Sequence, residues 1–371
     1  MPVHPLDIST FLEKLSAHIP VLDVRSPAEY KHAHIPGAYP LPLFSDEERK
    51  VVGTAYKQES RETAIKIGLD YFGPKMRPMV EEVEKLLAAR NGDNGNANHA
   101  NGAAGAIDAG STPRPADNTV LVHCWRGGMR SAGVAWLLDL YGFAVYTLKG
   151  GYKAFRQWAL AQFAKDYSMQ VLGGYTGSGK TEILQRLSRL GESVIDLEVL
   201  ARHRGSAFGH LGQDTQPSQE QFENRFALAL YALRGSPFWV EDESLRIGSL
   251  FLPNHFHAQM RTAPCYFLDI PFEKRLDHIL AGYGGFSPDQ LMLAVLRIQK
   301  RLGPLETKTA INHLLEKETR PAFAILLKYY DKWYAKSLQT RPADAPLHRL
   351  DAPAVDELRN TQLILQACSI H

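Results

Sequence analysis

The sequence predicts an α/β fold of two successive parallel-sheet domains, on three observations. Short apolar runs alternate with helical segments through the first half of the chain, the pattern of a parallel sheet with helices on its faces. Two runs end in glycine-rich loops that open helices. These are His123-Cys124-Trp125-Arg126-Gly127-Gly128-Met129-Arg130-Ser131 and Gly174-Tyr175-Thr176-Gly177-Ser178-Gly179-Lys180-Thr181. The length of 371 residues is too great for one typical domain and suits two, expected at 1–160 and 165–371.

Val21–Val24 is a short apolar run and reads as a buried strand. Ser26 is placed to cap the next helix, with Pro27 at its first position. Ile35-Pro36-Gly37-Ala38 reads as a turn. Val120–His123 is a second strand running straight into the cysteine loop. Ser131–Tyr141 reads as a helix stopped by Gly142, and Ala144–Leu148 as a strand ended by Lys149-Gly150-Gly151. Between 91 and 118 the composition collapses into Asn, Gly, Ala, Asp and Pro, which cannot bury enough apolar surface to offset its ordering entropy. This stretch is expected to be a mobile surface insertion within the first domain.

In the second half, Ser168–Leu172 leads into the glycine loop and Lys180–Leu190 forms the following helix. Ser193–Leu197, Phe238–Glu241 and Cys265–Ile270 are strand candidates. Phe286 to Ser337 is mostly helical. The tail after Thr340 carries Pro342, Pro346 and Pro353 and is expected to be irregular until a last short helix.

A hydrophobic content of 44% with 22% charged residues excludes a disordered chain. A net charge of +2 neither demands nor excludes a nucleic-acid partner, since a local basic patch can hide in a near-neutral total. Cys124, Cys265 and Cys368 are odd in number and have no metal-ligand spacing, so no disulfide framework is expected and a reducing cytoplasm fits best. The N-terminus shows no basic stretch before an apolar run, and no apolar run approaches the ~20 residues needed to span a bilayer.

A loop that follows a strand and opens a helix points its N–H groups inward, and the helix N-terminus adds positive potential. Such a setting lowers a cysteine pKa and makes a thiolate nucleophile. Cys124 with Arg126 and Arg130 is therefore the first candidate catalytic group, set against a buried, inert cysteine at a strand end. Five residues between Cys124 and Arg130 permit a phosphatase loop or a persulfide-carrying rhodanese loop. The flanks favour the latter. Asp23-Val24-Arg25-Ser26-Pro27-Ala28-Glu29-Tyr30 with His34-Ile35-Pro36-Gly37-Ala38 resembles the N-terminal rhodanese signature, and Thr147–Tyr152 resembles the C-terminal one.

Gly174-x4-Gly179-Lys180-Thr181 is a complete P-loop in its proper strand–loop–helix context. Gly174, Gly177 and Gly179 let backbone N–H groups wrap phosphates, Lys180 supplies a point charge, and Thr181 can reach a magnesium ion. Glu241, Asp242 and Glu243 at the end of an apolar strand are candidates for a metal-side acid or a solvated acidic turn. Tyr329-Tyr330 and Trp333-Tyr334 lie at helical spacing, which favours core packing over base stacking.

A rhodanese-like parallel-sheet domain followed by a P-loop NTPase-like α/β domain with a helical C-terminal region resembles the bacterial tRNA 2-selenouridine synthase family. Cys124–Ser131 resembles that family's active-site loop. Asp46–Arg49 with Val52–Gln58, His203-Arg204-Gly205-Ser206-Ala207-Phe208-Gly209 and Gln216–Gln219 resemble further family segments. The match lapses in the 91–118 insertion and after Thr340. The resemblance implies a two-step reaction on wobble 2-thiouridine of tRNA: S-geranylation from geranyl diphosphate, then replacement of the geranylated sulfur by selenium from selenophosphate. It implies tRNA as partner and a selenophosphate synthetase as source of the donor. The cysteine loop would hold the phosphate of selenophosphate while the thiolate takes selenium, and the P-loop would hold geranyl diphosphate, where frequency alone favours ATP or GTP. Arg202, His203 and Arg204 are candidate contacts to tRNA or the diphosphate, against an exposed polar loop. Two other functions compete: a cysteine phosphatase fused to a nucleotide-binding regulator, and a non-catalytic sulfur carrier with a P-loop switch.

Overall fold

The computed structural model describes residues 4–96, 118–205, 208–209, 211–212, 214–283 and 285–370. The chain divides into two compact units, Met1–Leu160 and Ala161–His371. The expected insertion at 91–118 lies, from 97 to 117, outside the described residues; its first residues continue a helix.

The first unit runs β1 (His4–Leu6), α1 (Ile8–Ser16), β2 (Val21–Asp23), α2 (Pro27–His32), β3 (Tyr39–Pro40), α3 (Asp46–Gln58), α4 (Arg61–Phe72), α5 (Met76–Asn96), β4 (Thr119–His123), α6 (Met129–Tyr141) and β5 (Ala144–Leu148). It ends in α7 (Gly151–Gln162), which crosses the unit boundary. The sheet order is β1-β5-β4-β2-β3, with every pairing parallel. Both β2 and β4 are buried along their whole length, as strands covered on both faces must be. Their register sets Asp23 beside His123 at the strand ends, next to the cysteine loop. Ser26 precedes α2 with Pro27 in its first turn, and Glu29 accepts from the Ser26 N–H at 3.1 Å. A reciprocal Ser45–Glu48 capping box starts α3, so the Asp46–Gln58 segment is a helix. At the end of α6, Gly142 takes the left-handed conformation (φ 113°) that stops the helix.

The second unit runs β6 (Met169–Gly174), α8 (Lys180–Arg189), β7 (Val194–Ile195), α9 (Leu197–Ala201), α10 (Gln219–Ala232) and β8 (Phe238–Glu241). The hairpin β9 (Arg246–Ile247)–β10 (Leu250–Phe251), then α11 (Asn254–Thr262) and β11 (Cys265–Asp269), follow. Four helices come next: α12 (Phe272–Tyr283), α13 (Pro288–Leu302), α14 (Pro304–Leu315) and α15 (Thr319–Gln339). The unit closes with β12 (Leu347–Asp351) and α16 (Glu357–Ile370). Its main sheet has the order β12-β11-β6-β8-β7, again all parallel. A second apolar core lies within the helical region, where Leu291, Val295, Leu314, Phe323 and Leu327 pack together.

The tail differs from expectation. Residues 347–351 form an edge strand in full parallel register with β11, and α16 is four turns long. Pro346 and Pro353 flank the strand without interrupting it, so the prolines that suggested irregular chain mark its ends. Ile364 of α16 is fully buried in the core around Leu184 and Trp239. Ile364→Ala is therefore expected to cost roughly 2–5 kcal/mol, the usual range for a large-to-small core change. Urea unfolding of the full chain measures it; a loss under about 0.5 kcal/mol, the surface-substitution range, would show that the tail does not pack.

Candidate functional site

In the first unit the site is the turn from β4 to α6. Tyr152 N–H donates to the Cys124 carbonyl at 2.8 Å and Lys153 N–H to the Trp125 carbonyl at 2.9 Å, clamping the loop against the turn after β5. Gly127 sits at φ 64°, and a Cβ there would lie 2.5 Å from the Leu148 carbonyl oxygen. Only glycine permits that approach. Beneath the loop is a buried ion pair. Arg25 Nη2 donates to Asp23 Oδ2 at 2.6 Å and to the Ala33 carbonyl at 2.7 Å, and the guanidinium lies 3.9 Å from the Tyr152 ring centre. His123 Nε2 is 3.7 Å from Asp23 Oδ2, and burial holds the imidazole below its ordinary pKa despite that carboxylate.

Cys124 Sγ is 3.2 Å from Ser131 Oγ. Burial opposes ionisation of the thiol. The Ser131 hydroxyl and N–H, the Arg130 charge and the Gly128 N–H outweigh it and hold the pKa below the ordinary value. Arg130 pairs with Glu29 of α2 at 2.8 Å. Arg49 pairs with the same carboxylate at 3.0 Å. Burial raises the Glu29 pKa, but these partners and the Ser26 N–H bring it down to about 2. Arg126 is exposed and has no ion pair among the described residues, so it is the loop's open cation. Trp125 is partly exposed beside the thiol, its ring 5.6 Å from Tyr152.

In the second unit β6 hands the chain to α8 through Tyr175–Gly179. Gly177 sits in the left-handed region (φ 81°), where a Cβ would also lie 3.0 Å from the Arg275 carbonyl oxygen and press on Ile279. Lys180 Nζ donates to the Gly174 carbonyl at 2.9 Å and lies 5.2 Å from the Tyr334 ring centre. Thr181 Oγ1 donates to Glu198 Oε2 at 3.1 Å. Glu198 and Glu243 stand beside Lys180 and Thr181; burial drives both carboxyls above their ordinary pKa while Lys180 opposes it, with the Asp196 charge adding to the rise at Glu198 and the Glu198 charge adding to it at Glu243. Glu241 accepts from the Glu198 N–H at 2.8 Å, and its pKa is raised by burial and by its acidic neighbours.

The loop floors a cavity of about 530 Å³. One side carries Lys180, Glu198, Arg204, Glu243 and His278. The other carries Phe208, Ile279, Tyr283, Phe323, Leu326 and Leu327. Tyr330 and Tyr334, expected in the core from their spacing, line this cavity, whereas Trp333 is half exposed.

The three candidate acids separate. Glu243 reaches the cavity, Glu241 lies behind it, and Asp242 points elsewhere, 3.5 Å from Arg341 Nη1. Alternation along an extended backbone turns neighbours to opposite faces. None of the three is a solvated turn, since all are buried. The basic trio separates as well. Arg204 lines the cavity, His203 is buried, and Arg202, left-handed at the end of α9, lies 3.5 Å from Asp214 Oδ2. Ser206 and Ala207 of that segment lie outside the described residues.

Sequence reasoning missed Glu29 as the partner of Arg130, Glu198 as the acid on Thr181, and Arg275. Arg275 donates to the Thr176 carbonyl at 3.1 Å and pairs with both oxygens of Asp331 at 2.8 and 2.7 Å. Glu29, three residues after a Ser-Pro helix start, carried a capping signal; Arg275 and Asp331 are too far apart in sequence for any local signal.

A family model of the tRNA 2-selenouridine synthase AAA domain matches residues 167–287, and a rhodanese-like domain model matches residues 7–75. Among relatives, the tRNA 2-selenouridine synthase of Nitrosomonas europaea is 33% identical over 83% of this chain and 74% of its own. That of Hahella chejuensis is 31% identical over 94% of this chain and 93% of its own. That of Pseudomonas syringae pv. tomato is 32% identical over 88% and 90%.

The Glu29–Arg130 pair makes a pH prediction. The Glu29 pKa is depressed in the fold, so the pair's stabilisation is complete above the unfolded-state value near 4.5 and fades as pH falls toward about 2. Glu29→Gln is therefore expected to be less stable than wild type at pH 7, with the gap narrowing below pH ~4.5. Denaturant titrations of both proteins from pH 7 to 3 measure it. A gap that widens on acidification would overturn the assignment.

Proposed function

The chain belongs to the tRNA 2-selenouridine synthase family, and from that premise we propose that this enzyme replaces sulfur by selenium in wobble-position 2-thiouridine of tRNA, by geranylation and then selenation. The observation that carries the two-step reading is the P-loop cavity. It joins a diphosphate-sized cradle to a wall of Phe208, Phe323, Leu326 and Leu327, whose apolar surface favours a hydrocarbon tail over a nucleotide base.

In the first step the thiocarbonyl sulfur attacks C1 of geranyl diphosphate. The S–C bond forms, the C–O bond breaks, and diphosphate leaves with the electron pair while N3 gives up its proton. Lys180 and the loop N–H groups stabilise the charge that gathers on the leaving group. A magnesium ion suits the oxygen donors of Thr181, Glu198 and Glu243 and would add to that neutralisation. In the second step the nucleophilic selenium of selenophosphate forms a bond to C2 and the C–S bond breaks with loss of the geranylthiolate, a better leaving group than the original sulfur; water then attacks phosphorus, the Se–P bond breaks, inorganic phosphate is released and selenium stays on C2. The Cys124 loop receives selenophosphate, with Arg126 and the α6 N-terminus facing its phosphate. A selenophosphate synthetase supplies the donor, and the reducing cytoplasm keeps Cys124 a free thiol.

Mass spectrometry of wobble nucleosides from cells carrying each variant tests both steps. Cys124→Ser is expected to remove 2-selenouridine while S-geranylated 2-thiouridine accumulates; normal selenouridine would sink the assignment of Cys124. Lys180→Ala is expected to weaken geranyl diphosphate binding at least tenfold in calorimetry, since a charge-assisted hydrogen bond is worth about 1.5–3 kcal/mol. Unchanged affinity would assign the P-loop to another ligand.

A further inference from the structure

The cavity has a measurable length. Its residues on α15 are Phe323, Leu326, Leu327, Tyr330 and Tyr334, one face of a single helix. Tyr334 marks the phosphate end, against Lys180. Phe323 lies eleven positions away, which at ~1.5 Å per residue is about 16 Å. The other wall runs the same way. Ile279 of α12 abuts Gly177 in the P-loop, and Tyr283 sits one turn beyond it. At the far end three rings close the cavity. Phe208 and Phe323 lie 5.1 Å apart, Phe208 and Tyr283 5.7 Å, and Tyr283 and Phe323 5.9 Å.

An extended chain advances about 1.2 Å per bond. A diphosphate with two isoprene units therefore spans about 15 Å, which fills the distance from Lys180 to the rings. A third isoprene unit adds about 5 Å and would run into them.

We infer that Phe323, backed by Phe208 and Tyr283, sets the chain length of the prenyl diphosphate this enzyme accepts, and that the gap beside Gly282 fixes the bulk of the tail. The inference rests on the reading that the P-loop holds a prenyl diphosphate. Gly282 lines the cavity on α12, and a Cβ built on it meets nothing within 4 Å. Gly282 is exposed at the rim of the cavity, so a side chain placed there has room to lie over its opening. Removing the Phe323 ring lengthens the cavity by about one isoprene unit, and a leucine at 282 narrows the cavity at its rim.

Calorimetry of the full chain with dimethylallyl, geranyl, farnesyl and inorganic diphosphate tests this. Wild type is expected to bind geranyl diphosphate most tightly of the prenyl series. Phe323→Ala is expected to shift the farnesyl-to-geranyl affinity ratio at least tenfold toward farnesyl. Gly282→Leu is expected to shift the geranyl-to-dimethylallyl ratio at least tenfold toward dimethylallyl. Both should hold inorganic diphosphate within about twofold of wild type, because the cradle is untouched. If Phe323→Ala does not fold, Gly282→Leu decides alone. Variants that bind geranyl diphosphate with unchanged ratios would overturn the gauge and leave the prenyl reading standing. A wild type that binds no prenyl diphosphate more tightly than inorganic diphosphate would overturn both.

Discussion

One buried guanidinium holds the second unit's cavity together. Arg275 leaves α12 and spends its donors on three separate elements: the P-loop at Thr176, the exit of β11 at Ile270 and the middle of α15 at Asp331. Its planar fork matches the Asp331 carboxylate with two bonds, a geometry lysine cannot reproduce. The same group faces the Tyr175 ring at 4.9 Å. The cavity's floor is thus tied to both its helical walls through one side chain. Without it a half-buried carboxylate and two carbonyls would lose their partner.

The first unit solves a related problem with backbone rather than side chains. The cysteine loop leaves β4 and must curl tightly enough for its N–H groups to converge on the thiol. The turn after β5 presses against it, and Gly127 and Gly151, both left-handed, allow the contact. Asp23 and Arg25 then fill the space beneath with a pair that is fully buried and saturated with partners. The two charged residues of the Asp-Val-Arg segment are therefore part of the platform, whereas the charge that lowers the thiol pKa comes from Arg130.

Much of this was legible in the sequence because it rests on local pattern. Apolar runs gave β2, β4, β5, β6, β8 and β11; glycine, lysine and threonine spacing gave the P-loop; the cysteine loop and its flanks gave the thiol. What stayed hidden was non-local. Glu198 joins Thr181 from across the sheet, and Arg275 finds Asp331 from a separate helix. β12 was obscured because an edge strand needs little apolar content: Leu347, Arg349 and Asp351 are exposed and only His348 and Leu350 half buried. Tyr330 and Tyr334 misled for a different reason. Helical periodicity shows which face is turned inward, not whether that face meets a core or a cavity.

The low pKa of Cys124 has a consequence for survival in the cell. A thiolate is what peroxides attack first, and the product, a sulfenate, is rescued most readily by a neighbouring thiol. Cys124 is the only cysteine of the first unit; Cys265 and Cys368 belong to the second. Burial pushes the Cys265 thiol up to about 12, so it stays inert. The unit that carries Cys124 therefore holds no second cysteine to resolve a sulfenate formed there. A sulfenate at that atom is then reduced only by a thiol from outside the unit, so recovery of the site depends on the reducing power around it.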